Sequence, residues 1–150
     1  MLKIAGPAVG LNEDNLVAKS TQGKEEEDKK NQKESQSNLK KHAGNKAFTA
    51  GKFDQAVALY TEAIELAPEN HVLYSNRAAT YQQLKQLDKA LEDADKCIAL
   101  SKGFVKGHFR RGLVLLEQGK KEEALKSLVE AHDLEPKDAE INAAIEKAKK

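Results

Sequence analysis

Residues 40–70 read KKHAGNKAFTAGKFDQAVALYTEAIELAPEN, and this stretch decides the fold. Apolar residues recur at helical spacing on both sides of Gly51, and Pro68 closes the second run. Glycine is typical of a turn that follows a helix, and proline is typical of a stop. The stretch therefore predicts a helix, a glycine turn, a second helix and an end.

The same pattern returns every 34 residues from Ser37 onward. Small residues recur at three places in each period: Gly44, Ala78 and Gly112; Ala56, Ala90 and Ala124; Ala63, Cys97 and Ala131. Small side chains are needed where two helices cross, because they let the backbones approach closely. We therefore expect Cys97 to be a buried thiol that packs like alanine, and not a reactive one.

The predicted turns also agree between periods. Gly51, Lys85 and Gly119 occupy the turn, and three residues later each is followed by an acid: Asp54, Asp88 and Glu122. Acids at a helix N-terminus can cap free N–H groups and interact with the positive end of the helix dipole. Both effects are expected here.

The composition limits the classes of function. Charged residues make up 33% and hydrophobic residues 39% of the 150 residues, and the net charge is +1. No global field attracts the chain to nucleic acid or to a membrane surface, and no partner of either kind is expected. A single cysteine rules out an internal disulfide and a cysteine-based zinc site. The chain also lacks a membrane-length apolar run or signal-peptide pattern, which favours the cytoplasm.

Residues 1–36 differ from the remainder. Residues 19–36, KSTQGKEEEDKKNQKESQ, contain no apolar side chain, and only a weak apolar cluster precedes them. Such a segment has nothing to bury, so we expect a disordered or loosely ordered charged arm. A short recognition motif, or a strand contributed to a partner, is the alternative.

A helix–turn–helix period of 34 residues is typical of tetratricopeptide repeats (TPRs). The sequence resembles that family in residues 44–68, and units two and three follow with some erosion. Unit two lacks the terminal proline and has Ala94 where an aromatic residue is usual. The resemblance implies an all-α, right-handed superhelical solenoid with repeats at 37–70, 71–104 and 105–138. A capping helix is expected at about 138–149, as part of a domain covering 37–150.

Five polar residues fall on one face of the first helices. They occupy positions 2, 5, 6 or 9 of their repeats, which are related by steps of three and four: Lys41, Asn45, Asn76, Lys106 and Arg110. Three cations and two amides suit an anion held by directional hydrogen bonds. Asn76 is the most informative of the five, because asparagine within a helix is unfavourable. None of them is a base or nucleophile at neutral pH, so binding is expected and catalysis is not.

The arrangement resembles the carboxylate clamp of co-chaperone TPR domains, in which Lys, Asn, Asn, Lys and Arg occur in this order. The resemblance implies that Lys41, Asn45, Asn76, Lys106 and Arg110 bind the C-terminal Glu-Glu-Val-Asp of Hsp90, Hsp70 or both. It also implies flanking contacts to the peptide, from Phe48, Ala79, Gln83 and His108. We predict a co-chaperone adaptor that is not an enzyme; a TPR scaffold for a non-chaperone complex is the alternative.

Other chemistry is not indicated. The four histidines, His42, His71, His108 and His132, show no paired metal-ligand spacing and are interpreted as ordinary surface or helix residues. There is no phosphate-binding glycine loop and no catalytic constellation. We therefore expect a monomer without a cofactor or a metal.

Overall fold

The computed structural model describes the backbone of residues 2–150 and the side chains of residues 23–150. Over that range the chain forms seven helices and no strand: α1 (Leu2–Thr49), α2 (Phe53–Leu66), α3 (His71–Gln83), α4 (Leu87–Leu100), α5 (Val105–Glu117), α6 (Lys121–Leu134) and α7 (Ala139–Lys149). None of the helices, so far as they are described, is long and apolar enough to cross a membrane.

Contacts divide the chain into two units, Met1–Gln36 and Ser37–Lys150. The first unit corresponds to the predicted arm. The side chains of residues 1–22, including the weak apolar cluster, lie outside the described residues, and residues 23–36 are exposed. The disorder or loose order of the arm stays a prediction.

The second unit is built from helix pairs. α3 packs on α4 and α5 packs on α6, while α2, α4 and α6 each contact the helix that follows them. α5 also contacts both α3 and α7, so the first helices of successive repeats lie side by side, with the capping helix after them. The predicted all-α solenoid of three repeats with a C-terminal capping helix is confirmed.

Small residues face large ones within two of the repeats. A Cβ atom added at Gly44 would lie 2.7 Å from Cε1 of Tyr60, and one added at Gly112 would lie 2.6 Å from Cδ2 of Leu128. The second repeat has Ala78 and Ala94 at the corresponding positions, and both are fully buried. In that repeat the second helix has a small residue, Ala94, in place of an aromatic one, and the first helix has alanine, Ala78, in place of glycine. We call these three couples the size-matched pairs.

The three turns inside the repeats share one backbone conformation. φ is +78° at Gly51, +78° at Gly119 and 61° at Lys85. In each turn the N–H of the next residue donates to the carbonyl oxygen five residues earlier, as in Lys52 to Ala47 at 2.8 Å. This is the Schellman hydrogen-bond pattern, in which glycine is preferred because it lacks a Cβ. Lys85 adopts a left-handed conformation that is strained for a lysine.

Replacing Lys85 with glycine should therefore stabilise the fold. We expect the free energy of unfolding to rise by about 1 kcal/mol and the melting temperature by about 4 °C. Thermal unfolding followed by circular dichroism measures this. Lys85→Ala is the matched control, since it removes the same side-chain contact but keeps the strain, and it should leave the melting temperature nearly unchanged. An equal shift in both variants would contradict the role of backbone strain.

The acids that follow the turns have one of the two effects expected of them. Asp54, Asp88 and Glu122 lie in the first turns of α2, α4 and α6, where a carboxylate meets the positive end of the dipole. The expectation that they cap these helices is wrong. The N-cap residues come earlier and form no side-chain cap hydrogen bond: Lys52, Gln86 and Lys120.

Two arginines join successive repeats. Arg77 contacts both Asp93 carboxylate oxygens, at 2.7 and 2.8 Å, and donates to Thr61 Oγ1 of the preceding repeat at 3.1 Å. One period later, Arg111 contacts Asp95 and Ser127. The hydrogen bond to Asp93 raises the pKa of Arg77, so the guanidinium remains charged although it is largely buried. We call Arg77 and Arg111 the bridging arginines.

Cys97 is a free thiol and is fully buried, as predicted. Its Sγ would lie 3.1 Å from a Cβ at Gly107, so a larger residue at either position would create overlap. Burial raises the pKa of the thiol to about 11. The thiol is therefore protonated and a poor nucleophile at neutral pH.

Candidate functional site

The polar residues singled out in the sequence lie on the first helices of the three repeats. Lys41 and Asn45 are one turn apart on α1, Asn76 lies on α3, and Lys106 and Arg110 are one turn apart on α5. Each helix thus presents its residues along one face. The positions of the five on these three helices are consistent with a shared site.

Two asparagines from neighbouring repeats meet directly. Nδ2 of Asn76 donates to Oδ1 of Asn45 at 3.4 Å. The same Oδ1 accepts a hydrogen bond from the Tyr60 hydroxyl at 2.5 Å. Oδ1 of Asn45 thus accepts two hydrogen bonds, which fixes the amide. Asn45 is exposed, so its Nδ2 group can donate to a ligand.

Tyr60 is a site-supporting residue that the sequence analysis did not identify. Tyr60 is only 2% exposed, and its ring packs beside Gly44, its partner in the first size-matched pair. Burial raises the pKa of the phenol above its ordinary value, so the hydroxyl stays a hydrogen-bond donor at neutral pH. Tyr60 therefore fixes which way the Asn45 amide points. No pattern in the sequence indicates this hydrogen bond, since packing alone accounts for a tyrosine in a core position.

The two lysines carry charge that is not neutralised by neighbouring side chains. Neither Lys41 nor Lys106 lies within ion-pair distance of an acid among residues 23–150, whereas the adjacent Lys40 pairs with Glu62 at 2.9 Å. Lys106 is exposed and Lys41 is half-buried. Both ammonium groups are thus available to pair with an anion.

The guanidinium of Arg110 is largely desolvated. Burial lowers its pKa, while the negative charges of Glu140 and Glu117 oppose that shift. Its Nε is buried and has no hydrogen-bond partner among the described residues. A partly desolvated guanidinium interacts more strongly with an incoming carboxylate than a fully hydrated one does.

Gln82 contacts this arginine, and the sequence analysis did not identify it either. Nη1 of Arg110 donates to Oε1 of Gln82 at 3.0 Å, and Nε2 of Gln82 donates to Oε1 of Glu117 at 2.6 Å. Gln82 is buried, whereas its neighbour Gln83, the predicted flanking contact, is exposed. A shift of one residue along α3 turns a side chain by about 100°, so spacing alone could not separate the two.

The predicted flanking residues have different environments. Phe48 is half-buried and packs edge-to-face on Phe53, with 5.3 Å between ring centroids. Ala79 is half-buried on α3 and Gln83 is exposed. Their contacts with a peptide stay predictions.

His108 is a buried residue, 6% exposed, and not a surface histidine. Its Nε2 lies 2.7 Å from the backbone oxygen of Lys102, and its Nδ1 lies 2.9 Å from a carboxylate oxygen of Glu130 on α6. Nε2 is thus directed at the backbone, while Nδ1 is buried beside the Glu130 carboxylate without forming a hydrogen bond to it. This arrangement supports a structural contribution of His108 and does not favour its predicted contact with a peptide.

Comparison with known proteins identifies the fold family. Two tetratricopeptide repeat family models match residues 47–92 and residues 105–138. The first TPR of Spaghetti (RPAP3), solved with the HSP90 peptide SRMEEVD, superimposes with a TM-score of 0.76 at 34% identity. The match covers 77% of this chain and 92% of that one. The chain belongs to the tetratricopeptide repeat family.

A second solved structure and a curated protein are also similar to this TPR chain. The second TPR domain of human RPAP3, in complex with the HSP70 peptide SGPTIEEVD, matches with a TM-score of 0.74 at 28% identity, over 81% of this chain and 98% of that one. Heat shock protein STI1 of Saccharomyces cerevisiae is 43% identical over 96 residues, which are 63% of this chain and 16% of STI1. The chain spans less than a third of the first curated relatives that it matches.

Proposed function

We propose that this TPR chain is a co-chaperone adaptor that binds the C-terminal peptides of Hsp90, Hsp70 or both. The clamp would consist of the five residues predicted from the sequence: Lys41, Asn45, Asn76, Lys106 and Arg110. The observation that carries the proposal is the contact between Asn45 and Asn76, which joins two repeats and leaves the Nδ2 group of Asn45 available to donate to an anion. The free lysines and the desolvated arginine supply the charge.

The chemistry of the five side chains fits two neighbouring carboxylates. A peptide that ends in aspartate offers its main-chain terminus and its last side chain within a few ångströms of each other. Amide N–H groups give direction, lysines give charge, and arginine can donate two parallel hydrogen bonds. Capture of a terminal carboxylate in a preformed site is a recurring mode of peptide recognition.

The solved relatives support the same ligand class. The two RPAP3 domains were solved with peptides that differ upstream and share the ending EEVD. The proposal is restricted to the domain, because the chain spans only part of its curated relatives. It describes a binding module and not an enzyme, and it includes a cytoplasmic location, which agrees with the single, buried and reduced cysteine.

Titration with fluorescent SRMEEVD and SGPTIEEVD tests the proposal, beside the same peptides amidated at the C-terminus. We expect the free acids to bind with a dissociation constant of about 1 μM, equivalent to about −8 kcal/mol. Amidation should abolish binding, because it removes one of the two carboxylates. Affinity should fall with added salt, since partly exposed ionic contacts are screened.

The same titration separates the alternative function. A TPR scaffold for a non-chaperone complex has no requirement for a free terminal carboxylate. Binding that survives amidation, or no binding of either acid, would therefore contradict the clamp and favour the scaffold. Comparison of the two free acids would show whether Hsp90-type or Hsp70-type peptides are preferred.

A further inference from the structure

We propose that Gln82 is a positioning residue that fixes Arg110 for ligand binding. A series of side-chain contacts supports this role: it runs from Arg110 to Gln82, then to Glu117, and ends at Lys85 in the strained turn of the second repeat. We call these four residues the Gln82 relay. This inference rests on the proposed function and adds to it a residue that acts through Arg110.

The bonds of the relay have a definite direction. Gln82 accepts from Nη1 of Arg110 through Oε1 and donates through Nε2 to Glu117, at 3.0 and 2.6 Å. Glu117 uses its other oxygen, Oε2, to pair with Nζ of Lys85 at 3.4 Å. Because each group of the Gln82 amide has its own partner, the side chain has one satisfied orientation, and flipping it would bring two oxygens and two donors together.

This order matters for a ligand-binding arginine. A free arginine side chain has many rotamers, and immobilising it on ligand binding costs free energy. In this protein one nitrogen of the guanidinium is already held by Gln82, while Nη2 forms no hydrogen bond with another described residue. The arginine is thus preorganised, and part of its ordering has occurred before the peptide arrives.

The relay also accounts for an unfavourable residue in the fold. Lys85 occupies a left-handed position where both other repeats have glycine, at a cost in backbone strain. Its ammonium group contacts Glu117, a contact that glycine cannot make. Without a cation beside it, Glu117 would compete more strongly for Arg110, since its charge already acts on that side chain. By pairing with Glu117, Lys85 therefore keeps that carboxylate bound to Gln82 and away from Arg110.

Gln82→Met tests the proposal with little change in volume. The variant keeps the length of the side chain but removes both hydrogen bonds. We expect its dissociation constant for SRMEEVD to rise about fivefold, because Arg110 must then be ordered on binding. Gln118→Met is the matched control. Gln118 also joins the second and third repeats through a side-chain bond, to Asp88 at 3.0 Å, but does not contact Arg110. It should bind within about twofold of the parent.

A second measurement separates positioning from general destabilisation. The NMR signal of Arg110 Nε–Hε in the ligand-free protein should show slow motion in the parent and in Gln118→Met, and fast averaging in Gln82→Met. Unchanged affinity in Gln82→Met, or weaker affinity with an unaltered Arg110 signal, would overturn the inference. A parent chain that binds neither peptide would overturn the proposed function and this inference with it; weak binding by Gln82→Met alone cannot be mistaken for that result.

Discussion

Replacing Asp93 with alanine should lower the free energy of unfolding by about 3–5 kcal/mol. The Asp93 and Arg77 side chains are 7% and 18% exposed, and the substitution leaves the arginine charge without its partner inside the protein. That loss is a large part of the total of about 5–15 kcal/mol that is typical of a domain. Urea unfolding followed by circular dichroism measures it. We expect weaker cohesion between the first two repeats as well, because Arg77 also bonds Thr61.

The second bridging arginine provides the matched control. Asp95→Ala removes the same kind of pair from the same helix, but Asp95 is 53% exposed and Arg111 is 29% exposed. A solvent-exposed pair contributes little, so the loss should stay below about 1 kcal/mol. Similar losses in both variants would show that burial does not set the value of these pairs. In addition, Arg77→Met combined with Asp93→Leu should recover most of the lost stability, because no unpaired charge remains.

Replacing Arg110 with alanine should weaken peptide binding by about 2–5 kcal/mol, or at least about thirtyfold. The side chain is largely desolvated, so its loss leaves a ligand carboxylate without the partner that offset its own desolvation. Titration with the fluorescent free-acid peptide measures this change. Lys41→Ala should act in the same direction, since no acid among residues 23–150 pairs with that lysine.

Arg111→Ala is the control for this prediction. Arg111 is the next residue on the same helix and has the same charge, but it is bound to Asp95 and Ser127. Its loss should reduce stability slightly and leave the affinity unchanged. If Arg110→Ala bound the peptide like the parent, the clamp would be refuted. Peptide binding itself would then have to involve other residues.

The fold could be predicted from the sequence because small residues recur at a fixed period. Ala56, Ala90 and Ala124 are all fully buried, as close crossing of two helices requires of residues at that position. The turn conformation was also predictable at Gly51 and Gly119. It was not predictable at Lys85, because lysine usually avoids positive φ, and only the repeat indicates that a turn is required there.

The candidate site was predictable only in part. Lys41 and Asn45, like Lys106 and Arg110, lie one helical turn apart, so their shared faces follow from spacing. The residues that support them do not follow from spacing. Tyr60 and Gln82 act through hydrogen bonds between different helices, and the burial of His108 depends on the loop before α5 and on α6. Such contacts are determined by side-chain rotamers across a helix interface, which one sequence does not reveal.

The size-matched pairs have a consequence for how such a chain can be rearranged. Each pair lies inside a single repeat: Gly44 with Tyr60, and Gly112 with Leu128, while the second repeat carries Ala78 and Ala94. A recombination event that cuts between repeats keeps every pair intact, whereas a cut inside a repeat can place a tyrosine ring against an alanine methyl group. The unit that evolution or an engineer can exchange is thus the whole helix pair, and a chimera joined at residue 70 or 104 should fold where one joined at residue 51 fails.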